Sequence, residues 1–218
     1  MIVQACINGA RKADHHPRLP LTTDAMVKDS LACLEAGASE LHIHPRAPDG
    51  RESLAAVGDF MAEFRRNCPG TLVGVSTGEW IEADRTATLS AIANWSVLPD
   101  YASVNLSEAQ APEVMALLRE RGVGIEAGLA SAADAERLAA VPGFRQVFRV
   151  LIEIGEQQVQ RADGMVQDIL KVLQRSGVTR PILLHGFDAT VWHFVRRARQ
   201  YRFSTRVGLE DGAQMPDG

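Results

Sequence analysis

Leu41-His42-Ile43-His44-Pro45-Arg46 alternates apolar and imidazole side chains up to a proline. A period of two marks a β-strand, and it puts His42 and His44 on one face, roughly 6.6 Å apart along the strand. On either side the chain reads as helix. Thr22 or Thr23 caps a helix that runs to Glu35 and stops at Ala36-Gly37, and the amphipathic stretch from Leu54 to Asn67 ends before Pro69-Gly70. The histidine strand thus belongs to a strand-helix unit, and the fold depends on whether that unit recurs.

It recurs along the whole chain. Strands are expected over 2–8, 40–44, 71–76, 101–106, 123–126, 146–154, 181–185 and 205–209, with helices over 83–94, 112–121, 131–140, 164–176 and 189–201 in addition to the two above. Eight strands alternating with seven helices imply a parallel sheet closed into a (β/α)8 TIM barrel, one domain spanning residues 1–218. An open doubly wound sheet is the rival. Against it, no strand-to-helix turn carries GxGxxG, and Gly9 lacks the partner glycines of a phosphate loop. Only seven residues follow Asp211, so the eighth helix is absent from this sequence. The expectation is a chain truncated after the eighth strand, an omitted tail, or cover supplied by a neighbouring subunit.

Composition narrows the partners. Of 218 residues 46% are hydrophobic, enough for a sizeable core, and 23 Lys and Arg against 27 Asp and Glu leave a net charge of -4 with no basic block. That balance argues against nucleic acid or an anionic membrane and for a small-molecule partner. Cys6, Cys33 and Cys68 form no CxxC and read as reduced thiols. The N-terminus lacks the charge and apolar length of a signal peptide, and no stretch reaches membrane-spanning length. A cytoplasmic protein is expected.

In such a barrel chemistry gathers at the C-terminal ends of the strands. Those ends carry Asn8, the pair His42 and His44, Ser76-Thr77, Asn105, Glu126, Glu153, His185 and Glu210-Asp211. The alternate residues, among them Val73, Val75, Val104, Ile125, Ile182, Leu184, Val207 and Leu209, are apolar and face the helices. Polar groups concentrated at one end of apolar strands are costly to bury unless paired or engaged with a ligand. On the last strand, period two aligns Arg206, Gly208 and Glu210 toward the interior, so Glu210 can join His42 and His44. Two imidazoles and one carboxylate with open positions suit catalytic Zn2+, with Fe2+ as the competitor. His185 is either a fourth ligand or a neutral imidazole bonding across the barrel mouth.

The assembled motifs resemble those of the beta-keto acid cleavage enzymes. They are Asn8-Gly9-Ala10, Lys12-Ala13-Asp14-His15, Leu19-Pro20-Leu21-Thr22, Ala36-Gly37-Ala38 leading into Leu41-His42-Ile43-His44, Asp49-Gly50-Arg51, Val75-Ser76-Thr77-Gly78, Val104-Asn105-Leu106 and Arg206-Val207-Gly208-Leu209-Glu210-Asp211. The resemblance runs along essentially the whole chain. It implies zinc held by His42, His44 and Glu210, Asp211 as base with Arg206 as its partner, and substrate contacts from Ser76 and Thr77. Asn105 and Asn8 lie at strand ends that line the same pocket. The implied reaction converts a beta-keto acid and acetyl-CoA into acetoacetate and the CoA ester of the remaining acyl fragment, and the resemblance further implies a homo-oligomer.

One departure stands out. Arg11 occupies a position where the family's named member has an acidic residue, and Glu126 or Glu153 is then the candidate to assist Asp211, either being equally a structural partner of Arg149. Trp80 is expected to floor the pocket or to pack on another subunit. Two other readings compete: a zinc hydrolase on the same barrel, and a barrel that binds metal or keto acid without turnover.

Overall fold

Alternation along each strand sorts side chains into two layers. The outward set, including Leu41, Ile43, Val73, Val75, Val104, Val150, Ile152 and Leu184, is almost wholly buried beneath helices. The computed structural model describes residues 1–217. In it β1 (Val3–Cys6), β2 (Glu40–Ile43), β3 (Val73–Ser76), β4 (Tyr101–Asn105), β5 (Gly124–Leu129), β6 (Arg149–Ile154), β7 (Ile182–Gly186) and β8 (Ser204–Val207) pair in sequence order. All pairs are parallel, and β8 returns to β1 to close the ring. This is the expected (β/α)8 barrel.

Seven helices fill the crossovers: α1 (Thr23–Glu35), α2 (Val57–Asn67), α3 (Arg85–Ala93), α4 (Ala111–Glu120), α5 (Ala132–Ala140), α6 (Val159–Arg175) and α7 (Val191–Tyr201). Side-chain caps fix several starts: Thr22 accepts from the amide of Ala25, Asp84 from Ala87 and Ser131 from Asp134. No helix among the described residues follows β8, and Val207 and Leu209 are only half-buried.

The inward layer carries a buried polar network. Near the N-terminal ends of the strands Arg149 pairs with both Glu126 and Glu40, and its guanidinium lies 4.7 Å from the centre of the Tyr101 ring. Gln4 donates to Glu40 at 3.1 Å and to the Tyr101 hydroxyl at 2.7 Å. This buried network settles the position of Glu126. Because β5 runs on to Leu129, Glu126 is not a strand-end residue but a partner of Arg149 deep in the interior.

Candidate metal centre and substrate pocket

His42 and His44 leave β2 on the same side, and their Nε2 atoms face each other 3.1 Å apart. Asn8 sets this arrangement from β1's end. Its amide nitrogen donates to the His44 carbonyl at 2.9 Å, while its oxygen accepts from the His44 backbone N–H at 2.9 Å. Asn8 is fully buried and its amide is spent on backbone, including the Pro20 carbonyl at 3.2 Å. In this structure it holds His44 in place. The His44 ring is oriented by Nδ1, which donates to Glu52 at 2.7 Å and so aims Nε2 inward.

Glu210 completes the cluster by a different route from the one period two implied. β8 ends at Val207, and Glu210 sits in a turn in which the Asp211 amide donates to the Gly208 carbonyl at 3.0 Å. Its carboxylate lies 3.8 Å from His42 Nε2 and 3.6 Å from His44 Nε2. Gly9 makes room for it. A Cβ at that position, where φ is +58, would fall 2.3 Å from Glu210 Cγ, so both the backbone and the space require glycine.

These three residues fit a metal ion. One ligand atom from each lies within 4.8 Å of the others. A tetrahedral ion with nitrogen ligands at about 2.0–2.1 Å separates them by roughly 3.3 Å, close to the 3.1 Å between the imidazoles. Glu210 Oε2 is buried with no hydrogen-bond partner, as an oxygen reserved for a cation would be. His185 does not join this set. The electrostatics of the three residues differ. Burial pushes His42 well below the usual imidazole range. Burial also acts to lower His44, but Glu210 and Glu52 outweigh it and raise that imidazole to about 9. Glu210 is held well below the carboxylate range by Arg206, His42 and His44, although burial opposes them.

Arg206, on β8, is buried and donates to Glu210 at 2.7 Å and to Asp211 at 2.8 and 3.2 Å. Asp211 is fully buried, with Oδ1 also 3.3 Å from His185 Nδ1 and Oδ2 without a partner. Burial, helped by Arg206, lowers the basicity of His185. Arg11 reaches the same corner, donating through Nε to the Glu210 carbonyl at 2.9 Å and pairing with Asp188 at 3.1 Å. It clamps the turn that carries Glu210, a role invisible without the loop's conformation.

A cavity of about 380 Å³ opens over the cluster, lined by His42, His44, Glu210 and Arg206 together with Ser76, Ser103, Asn105, Glu153, Phe187 and Trp80. Ser76 and Asn105 thus reach it. Thr77 is not among the residues lining this cavity: its hydroxyl donates to the Ser103 carbonyl at 2.8 Å, tying β3 to β4. Neither residue caps α3, which Asp84 does. Ser103 is a pocket residue the sequence did not flag, being a small hydroxyl within an ordinary strand. Trp80, 52% exposed, stands between this cavity and an outer groove of about 780 Å³ whose walls carry Arg11, Lys12, Arg46 and Arg51.

A family model described as beta-keto acid cleavage enzyme matches residues 1–218. Among curated relatives, the 3-keto-5-aminohexanoate cleavage enzyme of Acetoanaerobium sticklandii is 31% identical over 81 residues, 36% of this chain and 30% of that protein. The 3-oxoadipate:acetyl-CoA acetyltransferase of Cupriavidus necator is 35% identical over 83 residues, 35% of this chain and 28% of that protein. The matched segments span less than a third of these relatives' lengths. Among solved structures, the binary complex of ObcA with oxaloacetate superposes with a TM-score of 0.70 at 16% identity, covering 90% of this chain and 58% of that one, a likeness of fold.

Proposed function

The chain belongs to the beta-keto acid cleavage enzyme family, and from that membership we propose that it exchanges acyl groups between a beta-keto acid and acetyl-CoA, giving acetoacetate and a new acyl-CoA, with Zn2+ as cofactor. The observation that carries this reading is the convergence of His42, His44, Glu210 and Arg206 on one cavity, with Asp211 buried directly behind them against Arg206. His42, His44 and Glu210 would hold the ion. When bound it would supply Lewis-acid polarisation to the keto and carboxylate oxygens.

The chain's own residues account for the remaining steps. Asp211 takes a proton from the carbon between the two carbonyls, and Arg206 keeps its carboxylate aimed. The resulting carbanion attacks the acetyl carbonyl and expels the CoA thiolate. That thiolate then adds to the original keto carbon; the C–C bond breaks, the acyl fragment leaves as its CoA ester, and Asp211 returns the proton to acetoacetate. Ser76, Ser103 and Asn105 offer hydrogen bonds to oxygens in the cavity. Acetyl-CoA would lie in the outer groove, whose walls carry Arg11, Lys12, Arg46 and Arg51 beside Asp49, Glu52 and Glu82, and from which Trp80 leads inward.

Relatives support the chemistry: one is named for cleaving a keto acid and another for an acetyl-CoA acetyltransferase activity. We further propose a cytoplasmic homo-oligomer. Three free cysteines and the lack of any membrane-length apolar helix among the described residues support the first, and the half-buried Val207 and Leu209 the second. Light scattering tests the oligomer, which a monomer would refute. For the reaction, zinc is quantified in the purified protein, which is then mixed with acetyl-CoA and a panel of beta-keto acids while acetoacetate is followed by NMR. Acetoacetate from at least one member is expected; zinc-loaded protein that produces none would sink the reading.

A further inference from the structure

Glu153 is a residue the reaction above does not use. It lies near the end of β6 with its side chain 20% exposed to the cavity, and its one ion-pair contact among the described residues is a long one, 4.0 Å to His185 Nε2. Across from it, β5 carries Gly128. An ideal Cβ there would lie 2.8 Å from Glu153 Oε1 and 2.9 Å from Asn105 Oδ1, so only the absence of a side chain leaves room for both oxygens on this wall of the cavity. Asn105 donates its amide nitrogen to Glu108 at 2.8 Å, which turns its oxygen to this corner as an acceptor.

With Glu153 ionised, the corner presents two acceptors, the carboxylate and the Asn105 oxygen. The nearby cation, Arg206, is occupied by Glu210 and Asp211. Burial raises the Glu153 carboxyl to about 7, against the pull of Arg206, so the acceptor pair is present above that pH. An acceptor pair left unsatisfied inside a site favours a ligand that supplies the missing hydrogen and penalises one that cannot.

We propose that Glu153 and Asn105 together recognise a hydrogen-bond donor, a hydroxyl or a protonated amine, on the acyl end of the beta-keto acid, and disfavour acids that end in a second carboxylate. This rests on the acyl-exchange reading for the identity of the keto acid's head group. The selectivity itself follows from the corner. A donor there forms a charge-assisted bond with Glu153, whereas a carboxylate brings lone pairs against lone pairs.

The test uses four beta-keto acids of equal chain length ending in methyl, hydroxyl, ammonium or carboxylate. Each is titrated at pH 8.5, where Glu153 is ionised, into the zinc-loaded protein without acetyl-CoA, so that affinity is read independently of turnover. The hydroxyl or ammonium acid should bind about tenfold or more tightly than the methyl acid, and the carboxylate acid most weakly. In Glu153→Leu the ratio of donor-ended to methyl-ended affinity should fall toward one. Glu153→Gln, which keeps the shape, should lower the ammonium preference and improve the carboxylate acid. A flat ratio in the unaltered protein, a ratio that survives both substitutions, or no binding of any acid overturns the proposal. Acetoacetate formed on adding acetyl-CoA despite a flat ratio would leave the reaction standing and remove the selectivity; a steep ratio without acetoacetate would do the reverse.

Discussion

Glu210 and Asp211 are neighbours in sequence but face different partners. Glu210 looks onto the two imidazoles, while Asp211 is enclosed by Arg206 and His185. Glu210→Gln should therefore weaken zinc binding by at least about 100-fold, and Asp211→Asn should keep the metal while turnover falls by about 10²–10⁴. Metal content and rate measured on the same preparations separate the two, and an active Asp211→Asn protein would refute its role as base. Glu153 makes a prediction about stability. Its carboxyl is raised from 4.5 to about 7 by burial. The contribution of its neutral form is fully present below the unfolded value and is lost as pH rises through about 7. Between roughly pH 5.5 and 8.5 this removes about 2 kcal/mol. Urea unfolding should show Glu153→Gln relieved of that loss, and an identical pH profile in both proteins would count against it.

Among the elements, the strands were the more legible because their outward sides keep an apolar alternation that only a covered sheet sustains. Their ends were not. β5 continues through Ala127-Gly128-Leu129, where a small residue breaks the pattern, and α6 starts at Val159 although Gly164 suggested a later start. These errors reach the site. Ending β5 early made Glu126 look like a rim residue, whereas it pairs with Arg149 inside the barrel. The structure predicts a large effect there. Arg149→Met leaves Glu126 and Glu40 buried without their cation and should destabilise the fold by about 3–5 kcal/mol, read from the urea midpoint; a change within experimental error would show the network to be dispensable. His42 and His44 were brought together by residue type and spacing, whereas Glu210 was named from an alternation that stops at Val207, and it reaches them from the turn beyond. Arg11, Asn8 and Thr77 were not assignable, since what each bonds to depends on loop backbone that no pattern in the sequence encodes.

At the scale of the molecule, the cluster joins distant parts of the chain. His42 and His44 come from β2, and Glu210 from the turn after β8, held against β1 by the Glu210 amide's bond to the Cys6 carbonyl at 3.3 Å. If zinc binds as proposed, it binds only the closed ring. Free zinc at a hundred times its dissociation constant should add about 2.7 kcal/mol to stability, visible as a raised thermal midpoint that Glu210→Gln abolishes; equal midpoints with and without zinc would contradict the linkage. The pairing of β1 with β8 then has a temporal meaning as well as an architectural one. A nascent barrel displays its two histidines early but lacks the carboxylate until its final strand arrives, so the reactive centre is armed only once synthesis has passed Glu210 and the first and last strands have met.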